Sequence, residues 1–146
     1  MKTRHAARIV AMQILFQADT LSDWSDSAYE RFFTAFYNGA ESPELDAETK
    51  SYCLSLTKLV ADNLKVIDQR IVDLELTWSI TRMARIDRAI LRLALAESSL
   101  DLPVKVVIDE ALNLAREYSG EQAAGFLNAA LEKALETQIN KVPSIG

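Results

Sequence analysis

Apolar residues recur every three to four positions through most of the chain, the spacing of one face of an α-helix. From Arg4 to Ala18 the set Ala7, Val10, Ala11, Ile14, Leu15 and Ala18 keeps this period, with no glycine or proline to interrupt it. Tyr29, Phe32, Phe33 and Phe36 repeat at three and four and predict a short aromatic helix, stopped by Asn38-Gly39. After Pro43, Asp46 is placed to cap a third helix with Tyr52, Leu56 and Leu59 on one stripe. The stripe continues through Leu64, Ile67, Ile71 and Leu74, with a bend expected at Asn63.

Thr81 predicts the cap of the next helix, with Met83, Ile86, Ile90, Leu93 and Ala94 along one side as far as Ser98. Pro103 suits the first turn of another, whose buried stripe is Val104, Ile108, Ala111, Leu112 and Ala115. The run from Val104 to Ile108 has strand propensity, but no partner strand lies nearby, so helix is expected. Ser119 with Gln122 three residues on reads as a capping box opening a last helix through Leu127, Ala130, Leu131, Ala134 and Leu135. The expectation is an all-α compact bundle of six or seven helices, one domain over residues 1–140, with a frayed tail over 141–146.

A chain of 146 residues, 49% apolar and 25% charged, is long enough to bury its own core. Four glycines and three prolines are too few for a turn-rich β fold, and no apolar run has the length of a membrane span. One cysteine, Cys53, and one histidine, His5, leave no internal disulfide and no Cys/His metal site. There is no Gly-rich phosphate loop, nucleophile elbow or HExxH motif, so a non-enzymatic role without cofactor or metal is expected. Lys2, Arg4 and Arg8 before the stretch Ile9 to Phe16 imitate a targeting signal. Gln13 interrupts that stretch, however, and Asp19 and Asp23 follow where a small-residue cleavage site would fall, so a cytoplasmic protein with no membrane partner is expected.

Sixteen basic and twenty-one acidic residues give a net charge of −5, so a polyanion must find a local patch. Lys2, Arg4 and Arg8 open the chain against no acid, whereas residues 21–50 hold seven acids against Arg31 and Lys50. Arg82, Arg85, Arg88 and Arg92 form a second basic concentration opposite the apolar side of their helix, a pattern that fits a solvated face and equally a phosphate or partner contact. Asp109 and Glu110 sit early in a helix, where the macrodipole favours negative charge. Arg4, His5 and Arg8 lie at a helix start, where cations oppose the macrodipole, with the amides of Gln13 and Gln17 further along. Tyr118, Phe126 and Asn128 flank the turn between the last two helices, an arrangement that fits core packing or the stacking of a base.

The stretch from Trp78 through RIDRAILRLA (85–94), Glu97, LPVKVVIDEA (102–111), Ala115, Tyr118-Ser119 and Phe126-Leu127-Asn128 resembles the NusB family of transcription antitermination factors. The opening RHAAR (4–8) followed by AMQILF (11–16) is similar to that family too, and between Phe16 and Trp78 the likeness is one of helical pattern alone. The resemblance implies two small helical bundles packed together and no enzymatic activity. It implies binding to boxA-type single-stranded RNA of ribosomal RNA leaders, together with the small-subunit ribosomal protein NusE. That pair, with RNA polymerase and other Nus factors, promotes read-through of terminators. It places RNA contact on Arg4, His5 and Arg8, then on Gln13, Tyr118, Phe126 and Asn128, and NusE contact on Glu97.

Three departures stand out: Ala129 replaces the glycine usual after the Asn, Ala123 stands where serine is common, and the opening carries fewer basic residues than many relatives. The last weakens the phosphate contribution to affinity and shifts weight onto the partner protein. If Arg8 contacts phosphate, removing it should reduce RNA affinity without lowering thermal stability. A rival reading is an interaction adaptor without RNA specificity, and a homodimer is compatible with either.

Overall fold

The computed structural model describes residues 2–37 and 45–139. Every regular element among them is helical: α1 (Lys2–Leu21), α2 (Ser27–Arg31), a π-helical turn (Phe32–Phe36), α3 (Ala47–Asp62), α4 (Leu64–Asp73), α5 (Arg85–Glu97), α6 (Val104–Tyr118), α7 (Glu121–Ala134) and α8 (Glu136–Ile139). The all-α class is as expected, and the count rises above seven because α8 stands as a separate element and the expected short aromatic helix divides into α2 and the π-helical turn. The expected stop at Asn38-Gly39, Pro43 and the expected tail over 141–146 lie outside the described residues.

Helix α5 is the axis of the bundle. Every residue from Ala89 to Glu97 is buried, because α1, α3, α4, α6 and α7 all pack on this helix. The apolar residues of these helices form one continuous core running from Ala7 to Leu135. Such all-round burial is not what the charged stripe of this segment implies for a surface helix. Arg92, expected on the solvated side, is only 6% exposed.

Local chemistry sets the boundaries. The Asp46 carboxylate accepts the backbone N–H of Thr49 at 2.8 Å, the expected cap of α3. Asn63 separates α3 from α4 with its side-chain amide donating to the Leu59 carbonyl at 2.9 Å, so the bend also falls where expected.

Two starts differ from expectation. Thr81 does not cap α5; it lies in the preceding turn with its hydroxyl 3.2 Å from that of Ser79, and the helix begins at Arg85 after extended Ala84. Ser119 does not open a capping box either. It ends α6, and Gly120 takes the N-cap position of α7 with φ +122° and ψ 174°. The N–H groups of Ser119 and Gly120 both donate to the Ala115 carbonyl, at 2.8 and 2.7 Å, so the reversal closes within two residues.

That conformation of Gly120 belongs to glycine nearly alone. A Cβ there would meet no atom within 4 Å, so its cost is confined to the backbone. Gly120→Ala should therefore lower unfolding free energy by about 1–3 kcal/mol, read as a drop of several degrees in thermal midpoint. An unchanged midpoint would show that the turn relaxes without strain.

Candidate nucleic-acid interface

Three helices meet at one buried carboxylate. Glu97, the last residue of α5, is 2% exposed and faces Arg8 of α1, itself 4% exposed. Arg8 Nε lies 2.9 Å from each Glu97 oxygen and Nη2 lies 2.8 Å from Oε2, a two-pronged pairing that suits a planar guanidinium. Tyr52 of α3 donates its hydroxyl to Glu97 Oε2 at 2.5 Å. Glu110 of α6 approaches Arg8 Nη1 at 3.7 Å, bringing a fourth helix to the same point.

Burial opposes the Arg8 charge, but the hydrogen bonds and attraction of Glu97 outweigh it and raise its pKa above the ordinary value. Burial, reinforced by the bond to the Glu97 carboxylate, pushes the Tyr52 hydroxyl up to about 12. Burial alone pushes the neighbouring Cys53 thiol up to about 12.

The surface of this junction carries two other residues of the first turns of α1. Arg4 is exposed, with its guanidinium carbon 4.6 Å from the centre of the Tyr52 ring. His5 is half-buried, with Nδ1 3.2 Å from Glu110 Oε2. Arg4, His5 and Arg8 are thus brought together, but only the first two reach the surface. Arg8 is satisfied inside the protein and presents nothing to a phosphate in this arrangement. Glu97 is equally enclosed and offers no face to another chain. The expectation that Arg8 is dispensable for stability is corrected by the same geometry, since removing it strands a buried carboxylate.

The other candidates are spread over α1, α6 and α7. Phe126 is half-buried and lines a groove of about 430 Å³ with Trp78, Arg82, Asp87 and Gln122, where the start of α5 faces the α6–α7 turn. Tyr118 is 37% exposed at the end of α6, Asn128 is half-buried on α7, and Gln13 is half-buried on α1.

The arginine stripe divides in two. Arg82 and Arg85 are exposed, as expected of a solvated face. Arg88 instead binds Asp19 of α1 through Nε at 2.8 Å and Nη2 at 2.6 Å, and Arg92 grips Asp68 of α4 with two contacts of 2.9 Å beneath the ring of Trp24. Glu110 also departs from expectation. It lies beyond the first turn of α6 and serves as a partner for His5 and Arg8 instead of as a capping charge. In the acidic segment, hydrogen bonds from Ser25 and Arg31 hold the Asp23 carboxyl down to about 2. Sequence reasoning missed Tyr52, reading it only as part of the α3 stripe. Its signal was a hydroxyl on an apolar face, which needs a partner once buried.

The described residues contain no group of three or more His, Cys, Asp or Glu able to hold a metal, and no helix long and apolar enough to cross a membrane. Fold and site together define an all-helical protein with a small cationic surface at one helix end. The chain belongs to the NusB family, whose profile, described as NusB family, matches residues 5–136. It is 34% identical over 145 residues to the transcription antitermination protein NusB of Geobacter sp. (strain M21), covering 97% of this chain and 99% of that one. It is 35% identical over 131 residues to its namesake in Anaeromyxobacter dehalogenans (strain 2CP-1 / ATCC BAA-258), covering 89% and 88%. Among solved structures, T. maritima NusB superposes with a TM-score of 0.76 at 27% identity, over 91% of this chain and 90% of that chain. The fold alone is shared, at TM-score 0.78 and 23% identity over 94% and 98%, with a structure of the antitermination factors NusB and NusE in complex with dsRNA.

Two outcomes follow from the junction. Arg8→Ala should cost about 3–5 kcal/mol in urea unfolding, while Arg8→Met combined with Glu97→Leu should recover most of that loss. A single variant as stable as the unaltered chain would refute the account. Tyr52 and Cys53 both titrate higher when folded than their ordinary values of 10.0 and 9.0, so the stability they contribute is complete below pH 9 and erodes as pH rises toward 12. Denaturant midpoints measured across that range should fall, and the fall above pH 10 should shrink in Tyr52→Phe.

Proposed function

We propose that this protein is a non-enzymatic, cytoplasmic antitermination factor that binds a short boxA-type single-stranded RNA together with the ribosomal protein NusE and promotes read-through by RNA polymerase in ribosomal RNA operons. Family membership supports the antitermination role. The observation that carries the RNA reading is the exposed Arg4 guanidinium beside His5 on the first turns of α1, standing on a buried framework of Arg8, Glu97 and Tyr52. Cations there oppose the helix macrodipole, and a ligand phosphate offsets that cost. Arg4 would contact phosphate, His5 would add a ring nitrogen, and Tyr118 and Phe126 would stack bases, with Gln13 and Asn128 reading base edges. Arg8 and Glu97 enter this reading as the frame beneath the surface and not as contacts.

A second reading, an adaptor with no RNA specificity, gains support from the engagement of Arg8, Arg88 and Arg92 in internal pairs, which thins the cationic surface of a chain whose net charge is −5. Fluorescence anisotropy separates the two, using a boxA-like RNA, a scrambled strand and a duplex control, each with and without NusE at two salt concentrations. The proposal expects preference for the boxA-like strand, strengthened by NusE. It also expects Arg4→Gln to weaken binding and reduce the salt slope by about 0.7. Equal, weak binding to all three RNAs favours the adaptor, and preference for the duplex overturns the single-strand assignment while keeping RNA as ligand.

A further inference from the structure

Tyr52 has no place in the reading above except as a donor to Glu97, yet its ring is the platform on which Arg4 rests. An exposed arginine on the first turn of a helix samples many rotamers, and each must be given up when a phosphate is gripped. Here one face of the guanidinium lies over an aromatic ring at 4.6 Å, within the range of cation–π attraction. The ring is itself fixed at both ends. Its backbone belongs to α3, and its hydroxyl is anchored at 2.5 Å on a carboxylate that Arg8 holds from the other side. A relay therefore runs from the buried Arg8–Glu97 pair through Tyr52 to the surface guanidinium. Arg4 stays exposed despite this contact, and the N–H edge of a guanidinium grips a phosphate with two parallel hydrogen bonds. A tyrosine serves here better than a phenylalanine of equal area, because the hydroxyl sets the ring's rotation as well as its position.

We infer that Tyr52 is a positioning residue for RNA: it holds the Arg4 guanidinium in advance in the orientation that meets a backbone phosphate. This rests on the RNA reading proposed above, and it predicts coupling between two residues on different helices. The test is a double-mutant cycle read by anisotropy of a fluorescein-labelled boxA-like RNA in the presence of NusE. Arg4→Gln, Tyr52→Leu, their combination and Tyr52→Phe are compared at a temperature where circular dichroism shows each variant folded.

Tyr52→Leu should weaken binding about two- to fivefold in the unaltered background and have no further effect once Arg4 is Gln. Tyr52→Phe, which keeps the ring, should retain most of the affinity. A merely structural role for Tyr52 would instead lower affinity by the same factor in both backgrounds, and that result overturns the inference. So does a Tyr52→Leu variant that binds like the unaltered chain while Arg4→Gln does not. Should Tyr52→Leu fail to fold, Tyr52→Phe and Tyr52→Trp decide: retained affinity in both supports the ring, and a loss in both as large as that of Arg4→Gln overturns it. Binding of no RNA by the unaltered chain removes the RNA reading and this inference together, whereas binding with independent effects of the two substitutions removes this inference alone.

Discussion

The rest of the molecule is organised around a charge that has no access to water. Glu97 closes α5 inside the core, and it is tolerable there because Arg8 meets both of its oxygens and Tyr52 gives a third hydrogen bond. Those donors arrive from α1 and α3, so the requirement to satisfy one carboxylate fixes how three helices sit against each other. Apolar packing alone has no such directional demand. Leucines and alanines accept small slides that a two-pronged guanidinium pairing does not.

A second clamp of the same chemistry lies further along the same helices. Arg88 and Arg92 of α5 reach Asp19 near the end of α1 and Asp68 in α4, with Trp24 covering Arg92. The two clamps, one toward each end of α5, register α1 along it. Each replaces water around a charge with fixed partners, which contributes more to the uniqueness of the packing than to its net stability. The arrangement also explains why α1 is helical from its first described residue despite having no acid in its first turn to favour the dipole. Its beginning is held by tertiary contacts of Arg4, His5 and Arg8.

The helices were largely legible in the sequence because apolar periodicity survives wherever one face is buried, as in α3, α6 and α7. Asp46 and Asn63 were legible as boundaries because their side chains act on their own neighbouring backbone. The starts of α5 and α7 were not, since Thr81 and Ser119 are good caps by type but the chain turns before and after them for reasons outside their own dipeptide. The site was legible only in part. Residue type and position identify cations, but whether a cation faces water depends on a carboxylate 89 residues away, as for Arg8 and Glu97. The same holds for Arg88, whose partner Asp19 is 69 residues distant, and local spacing carries no trace of either pairing.

The division of the arginines constrains how such a surface can bind a polyanion. Of the six arginines in the opening and in the stripe before and within α5, Arg8, Arg88 and Arg92 are engaged in internal pairs, and Arg4, Arg82 and Arg85 remain exposed. Each phosphate neutralised on a single strand contributes about 0.7 to the slope of affinity against salt, so three cations give a slope of about two. That is a weak electrostatic contribution for a chain whose net charge is −5. Useful affinity then depends on stacking, on cations held ready in one orientation, and on charge brought by a second protein. On the proposed reading, the net charge of −5 that weakens contact with RNA favours contact with a basic partner protein.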